Sequence, residues 1–377
     1  MRNSLHMGNL VTNRPRENSK GEMPFHSHLS QNHSSRPALR LTGKARIRGA
    51  LFSDKPENIS RVWSGRHLQR LEQWVELPKE IITRQSLEEH RDWLAETEVI
   101  FSTWGMPSLS SAELALLPRL RAVFYAAGTV KHFAPPLWER GIVIANAAAA
   151  NAMPVAEFTL AQILFSLKQG WQHVRDIQER HPAGKWNRLQ VPGVYNATVG
   201  IISLGLIGSR VCDLLRHFIL RKIAYDPYVC AEQTRALGAS PATLKQIFCE
   251  GDVVTLHAPW LPETEGMITG ELLASMKPGA TFINTARGIL VREDEMVEVL
   301  RQRQDLTAFL DVTYPEPPHP DSPLYSLPNV IITPHIAGSM GMEVFRMADL
   351  MIEEFQAWYE GRPLRYEATP ETELAGA

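Results

Sequence analysis

The sequence predicts an α/β protein of two domains, each built on a parallel sheet doubly wound by helices. Three observations carry this. Short apolar runs of strand length alternate with helical segments along most of the chain. A length of 377 residues exceeds what one core of usual size accommodates. Residues 197–226, ATVGIISLGLIGSRVCDLLRHFILRKIAYD, read as a strand, a turn, a helix and a second strand.

In that unit a buried strand from Thr198 to Ile202 passes through Ser203-Leu204-Gly205-Leu206-Ile207-Gly208 into an amphipathic helix, and the next strand ends at Asp226. This is the order of a dinucleotide-binding βαβ unit, where glycines admit a pyrophosphate close to the backbone and the acid accepts from a ribose hydroxyl. Gly205 and Gly208 fill two of the three fingerprint positions. Ser203 stands at the first, where a Cβ restricts the tight turn, so a weakened grip on the cofactor is expected.

Composition narrows the classes. A formal net charge of -2 leaves no overall electrostatic footprint for nucleic acid or an anionic membrane surface. Cys212, Cys230 and Cys249 have neither the number nor the spacing of a disulfide framework or a metal knuckle, so no metal is expected. No uninterrupted apolar run reaches the roughly 20 residues of a membrane span, and the first residues lack the apolar core of a signal peptide. The expectation is a soluble, cytoplasmic protein.

Residues 1–44, rich in Asn, Ser, Arg, His and Pro, are expected to form a disordered tail. A strand at Ile47–Phe52 and a helix near Ile59–Gln73 open the ordered part. Strands at Arg121–Tyr125, leading into Ala126-Ala127-Gly128-Thr129, and at Ile142–Ala145 follow. Trp104 and Trp138 read as core. A long helix is expected over Pro154–Gln178, with Val155, Phe158, Leu160, Ile163, Leu164 and Leu167 on one face, then a loop over Lys185–Asn196. Beyond Asp226 come helices at Ala231–Leu237, Ala242–Cys249 and Arg292–Arg303, and strands at Val253–Leu256, Thr281–Asn284, Leu306–Leu310 and Val330–Thr333. A last helix spans Met342–Tyr359 and stops at Gly361 and Pro363, after which the Glu-rich terminus is expected to fray.

In doubly wound sheets ligands gather at the carboxyl ends of the strands. Ser203, Asp226, His257, Thr285, Arg287, Asp311 and His335 all fall there. Among them His335 has the side chain suited to proton exchange near neutrality. Glu316, in Tyr314-Pro315-Glu316-Pro317-Pro318, would favour its imidazolium and hold one tautomer if that loop folds back on it. Arg287 offers a planar fork matched to a carboxylate.

The runs NTARGILV at 284–291, LDVTYPEP at 310–317 and TPHIAGS at 333–339, downstream of VGIISLGLIG at 199–208, resemble the NAD-dependent D-isomer-specific 2-hydroxyacid dehydrogenase family. The likeness runs in order and spacing from about Asn146 to Gly338. It includes NAMPVAE at 151–157, where the family's bridging helix starts.

This resemblance implies hydride transfer between NAD(H) and a 2-oxo acid or D-2-hydroxy acid, with Arg287, Glu316 and His335 as the catalytic trio. His335 would exchange the proton with Glu316 assisting, and Arg287 would bind the substrate carboxylate. It also implies a cofactor site of Ser203, Gly205, Leu206, Ile207, Gly208, Asp226, His257, Ala258, Pro259, Thr264, Thr285, Ala286, Arg287, Asp311, His335 and Gly338. Asp226, with no arginine close behind it, favours NAD over NADP. The family's glycine-rich carboxylate loop survives in part as Ala127, Gly128 and Thr129, beside which Lys131 would favour a dianionic substrate. Relatives that oxidise formate carry an amide where Glu316 stands, so the resemblance is to the hydroxyacid branch.

The architecture implied is a dinucleotide domain, residues 151–339, inserted into a discontinuous substrate domain of residues 45–150 and 340–377, the whole forming a homodimer. Two rival readings keep the same motifs: an NAD-sensing regulatory or scaffold protein, and a dehydrogenase of another small anion such as phosphite.

Overall fold

A computed structural model describes residues 46–180 and 189–374. The expectations for residues 1–44, for the first part of the loop over Lys185–Asn196 and for the last three residues lie outside these.

The first sheet holds β1 (Ile47–Phe52), β2 (Val75–Glu76), β3 (Thr97–Ser102), β4 (Ala122–Tyr125) and β5 (Val143–Asn146), in the order β2-β1-β3-β4-β5. All its pairs are parallel. The second holds β6 (Thr198–Ile202), β7 (Arg221–Tyr225), β8 (Ser240–Pro241), β9 (Val253–Leu256), β10 (Thr281–Asn284), β11 (Thr307–Leu310) and β12 (Val330–Ile332), in the order β12-β11-β10-β9-β6-β7-β8. These pairs too are parallel. Because β6 lies between β7 and β9, the chain order reverses there, and such a reversal opens a crevice at the carboxyl ends of the strands.

Parallel strands covered on both faces read as continuous apolar runs, and β4, β6, β9, β10 and β11 are buried throughout. Leu114, Leu117, Phe133 and Leu137 cover one face of the first sheet. Its other face takes Trp63 together with Met347, Met351, Ile352 and Phe355 of the helix Val344–Tyr359. The Phe355 ring meets Phe101 and Phe124 edge-on at 5.3 and 5.4 Å. The chain thus returns to the first sheet after completing the second.

Several expected elements are redrawn. The helix near Ile59–Gln73 is two, Pro56–Val62 and Gly65–Leu71. Trp63 separates them, buried with its indole donating to the Ser102 carbonyl at 3.1 Å, and Ser64 starts the second. The expected Pro154–Gln178 helix starts earlier, at Ala148, and is broken: Ala148–Ser166 is followed by Gly170–Arg180. Alanines 148–150 favour the helix, the Asn146 side chain accepts from the Ala148 amide at 3.1 Å, and Gln169, at φ 48°, ends the run.

By length and composition alone the 19-residue helix Ala148–Ser166 would pass for a membrane span, although Asn151, Glu157 and Gln162 interrupt its apolar run. Here its Ala156 and Ile163, with Leu167 at its end, pack on Val199, Ile201 and Phe309 of the second sheet. Nor does the Glu-rich terminus fray throughout: Pro370–Leu374 is helical, and Glu373 is buried.

Candidate active site

Apart from Ala127, Gly128 and Thr129, the expected residues lie on turns and loops that follow strands of the second sheet. Parallel pairing brings those turns to one rim.

After β6, Ser203 adopts φ 72°, the left-handed conformation that glycine takes at low cost. Gly208, in the first turn of the helix Leu206–Leu214, packs against that bend. A Cβ on it would lie 2.0 Å from the Ser203 carbonyl oxygen, so only glycine fits. Asp226 holds the turn from the side. Its Oδ2 accepts from the Leu204 amide at 2.7 Å and, more weakly, from the Ser203 hydroxyl at 3.4 Å. Its Oδ1 accepts from the Tyr228 and Val229 amides at 2.8 and 3.2 Å. The amides of Gly205, Leu206 and Ile207 meet no acceptor among the described residues. That is the donor set a pyrophosphate requires at a helix N-terminus.

Beyond β9, His257 lies almost wholly buried, one ring nitrogen 3.0 Å from the Thr255 hydroxyl and the other, Nδ1, without a partner among the described residues. Burial pushes its pKa down to about 3 and keeps the ring neutral. The Thr264 hydroxyl closes the following loop, donating toward the Pro259 and Leu261 carbonyls and accepting from the Leu261 amide. Ala258 is buried beneath.

The turn after β10 carries Thr285, Ala286 and Arg287. Thr285 is tied to Thr159 of the crossing helix, hydroxyl to hydroxyl at 3.1 Å. Asn284, which the sequence reading did not single out, braces the turn: its Oδ1 accepts from the Ala286 amide at 3.0 Å and its Nδ2 donates to the Arg287 carbonyl at 2.9 Å. A Cβ on Gly288 would lie 2.0 Å from the Thr313 carbonyl carbon, so glycine is what lets this turn press against the 311–316 loop.

Arg287 is exposed to solvent yet crowded by protein atoms. That crowding lowers its pKa from the ordinary guanidinium value, opposed by the Glu316 carboxylate. Because a guanidinium titrates so far above neutrality, it stays cationic. It has no carboxylate at ion-pair distance among the described residues; one of its own N–H groups donates to the Ala286 carbonyl.

The third residue of the expected catalytic trio follows β12. His335 sits at φ 53°, and its Nδ1 is 2.7 Å from Oε1 of Glu316, both side chains half-exposed. The Pro-rich loop therefore does fold back on the histidine. Asp311, buried, organises the bend: it accepts from the Thr333 hydroxyl at 2.5 Å and from the Ile336 and Ala337 amides at 2.9 Å each. Next along the chain, the Ser339 amide donates to Oδ1 of Asn151 at 2.9 Å, with Gly338 packed against the same side chain.

On the first sheet, the turn after β4 carries Ala127, Gly128 and Thr129. The Ala147 amide is shared between the Tyr125 and Ala127 carbonyls, so the start of the crossing helix pins this turn. No acceptor among the described residues takes the amides of Gly128, Thr129 or Val130.

Residues 164–337 match the family model for the NAD binding domain of the D-isomer specific 2-hydroxyacid dehydrogenases. This segment belongs to that family. A D-3-phosphoglycerate dehydrogenase of Archaeoglobus fulgidus is 33% identical over 229 residues, 60% of this chain and 43% of its own length. One from Synechocystis is 34% identical over 233 residues, 61% of this chain and 41% of its own. The chain thus matches less than half the length of these curated relatives.

Among solved structures, a Thermus thermophilus protein aligns with a TM-score of 0.67 at 27% identity, covering 86% of this chain and all of its own. An NAD-complexed D-isomer specific 2-hydroxyacid dehydrogenase of Lactobacillus delbrueckii, at 21% identity, shares the fold with a TM-score of 0.70 over 86% of this chain. The family domain binds NAD, and the unpartnered amides at Gly205–Ile207 and the bend admitted by Gly208 fit that cofactor.

Proposed function

We propose that this chain is an NAD-dependent D-2-hydroxyacid dehydrogenase, with Arg287, Glu316 and His335 as its catalytic groups. The observation that carries the reading is the 2.7 Å His335–Glu316 pair at the rim that also holds Arg287, whose charge Glu316 stabilises. NAD(H), when bound, supplies or accepts the hydride at the substrate's C2.

The chain's own groups do the rest. In reduction His335, held through Nδ1 by Glu316, donates a proton from its other nitrogen to the carbonyl oxygen as that oxygen gains negative charge. The carboxylate opposite lowers the cost of the imidazolium and fixes one tautomer. In oxidation the neutral imidazole takes the hydroxyl proton. Arg287, with no carboxylate at ion-pair distance among the described residues, presents its fork to the substrate carboxylate. The free amides at Gly128–Val130 offer a second cradle for the same group.

Asp226 would reach the adenosine ribose and disfavour a 2′-phosphate. Its oxygens already serve three amides, so the ribose would compete mainly with the weak Ser203 contact. The phosphoglycerate relatives make a phosphate-bearing acid a natural member of the substrate panel, and Lys131, exposed beside the anion turn, would be the cation to meet it.

The test is a panel of 2-oxo acids, with and without a second anionic group, followed by NADH absorbance. Turnover that disappears in Arg287→Ala and His335→Ala is expected. Tight NADH binding with no turnover on any acid would instead favour a sensor.

A further inference from the structure

The C-terminal helix Pro370–Leu374 brings a buried carboxylate to the anion turn of the first sheet. Its approach is built, residue by residue. The chain after Arg365 runs antiparallel beside β5, with the Asn146 amide donating to the Tyr366 carbonyl at 3.1 Å and the Ala368 amide to the Ile144 carbonyl at 2.7 Å. Ala368 is buried in the core, and its carbonyl accepts from the Trp138 indole at 3.0 Å. Thr369 and Thr372 then cap each other and start the last helix.

Glu373, 5% exposed, ends this path. Its Oε2 accepts from the Thr129 hydroxyl at 2.7 Å and its Oε1 from the Asn146 side-chain amide at 3.1 Å. Arginine, lysine and histidine are absent from its ion-pair shell among the described residues. A buried carboxylate held by two neutral donors is an expensive way to fill space, since an apolar side chain would do it without desolvating a charge. What the carboxylate does, and an apolar group would not, is join two particular places. Thr129 lies in the turn whose amides meet no acceptor among the described residues, and Asn146 sits where β5 passes into the crossing helix, its Oδ1 accepting from the Ala148 amide.

We propose that Glu373 is a positioning residue for the anion turn: by holding the Thr129 hydroxyl against Asn146 it keeps the Gly128, Thr129 and Val130 amides fixed for a substrate carboxylate. This rests on the reading of that turn as a carboxylate site. Glu373 touches no reacting atom, so its loss weakens capture of the acid and leaves the hydride and proton steps intact. An ordered set of amides binds an anion better than a mobile one because the ordering cost is met in advance.

The experiment uses the full chain. In Glu373→Ala the KM for the 2-oxo acid should rise about tenfold, the scale of one ordering hydrogen bond, with kcat and the Kd for NADH unchanged. Hydrogen exchange at residues 128–130 should quicken. Glu373→Gln keeps an acceptor for Thr129 and should restore most of the affinity, whereas the neighbouring exposed Glu371→Ala should behave as wild type. Thr129→Val should reproduce Glu373→Ala and add nothing to it.

A wild-type KM and unchanged exchange in Glu373→Ala would overturn the proposal, as would equal losses in KM, kcat and NADH affinity, which mark general unfolding. Gly128→Pro separates this from failure of the underlying reading. It deletes one of the free amides at a position where an added Cβ meets nothing within 4 Å. If Gly128→Pro leaves KM unchanged, the turn does not bind the acid. If it raises KM while Glu373→Ala does not, only the role of Glu373 fails.

Discussion

Asp311 holds the backbone of His335 from both sides. Its carbonyl accepts from the His335 amide at 2.9 Å, and its carboxylate accepts from the two amides that follow, Ile336 and Ala337. A left-handed histidine costs on the order of 1 kcal/mol or more relative to the common conformations, so something must over-determine it. Asp311 is that group. Its expected place in the cofactor site is therefore joined by a structural task.

Asp311→Ala leaves two amides and the Thr333 hydroxyl without their acceptor in a buried setting. With about 1–3 kcal/mol for each unsatisfied group, a loss of roughly 3 kcal/mol or more in urea denaturation is expected. Turnover should fall at least about tenfold because the imidazole is displaced. Unchanged stability with a raised KM for NADH alone would assign the carboxylate to the cofactor instead.

His335 and Glu316 act as one unit if the 2.7 Å contact is what orients the ring. His335→Ala should lower kcat by about 10²–10⁴-fold, the usual worth of a positioned acid–base group, and Glu316→Gln by less. In the His335→Ala background, Glu316→Gln should change almost nothing, since there is no imidazole left to orient. Additive losses, read from kcat of the four proteins, would mean that the carboxylate acts elsewhere.

The alternating apolar runs made most of the second sheet legible, and Arg287 and His335 stood out at strand ends that parallel pairing must bring to one rim, whereas the pairing of Glu316 hung on its loop folding back and the catalytic roles rested on the family resemblance. What the pattern hid was set by long-range partners. The break at Trp63 depends on a carbonyl 39 residues away. Asn284 and Asn151 look like ordinary polar residues until their side chains are seen bracing turns. Glu373 read as part of a fraying Glu-rich end because nothing local announces Thr129, 244 positions earlier. Periodicity reports which face is buried; it carries no information about which distant donor a buried polar atom meets.

Ser203 gives a sharper test of the cofactor turn. At φ 72° its Cβ carries a strain of about 1 kcal/mol that glycine would not. The hydroxyl offsets little of it across 3.4 Å to Asp226. Ser203→Gly should tighten NADH binding several-fold, measured as Kd by fluorescence, with stability changed by less than about 1 kcal/mol because glycine also loosens the unfolded chain. An unchanged Kd would show that serine already holds the turn in its binding geometry.

His257 makes folding stability depend on pH in a defined window. Burial depresses its folded pKa to about 3, against an ordinary value of 6.5, so the folded state keeps the ring neutral while the unfolded chain protonates it. Between those values the unfolded state binds one more proton. Stability therefore falls as pH drops from about 6.5 toward 3, by up to about 1.4 kcal/mol per pH unit from this group alone, and is flat in this term above 6.5. Urea midpoints measured from pH 7 down to 4 should show that slope in the wild type and a shallower one, by close to one proton, in His257→Leu. Parallel slopes in the two proteins would mean that the ring, with its unpartnered Nδ1, is reached by water and protonates in the folded state.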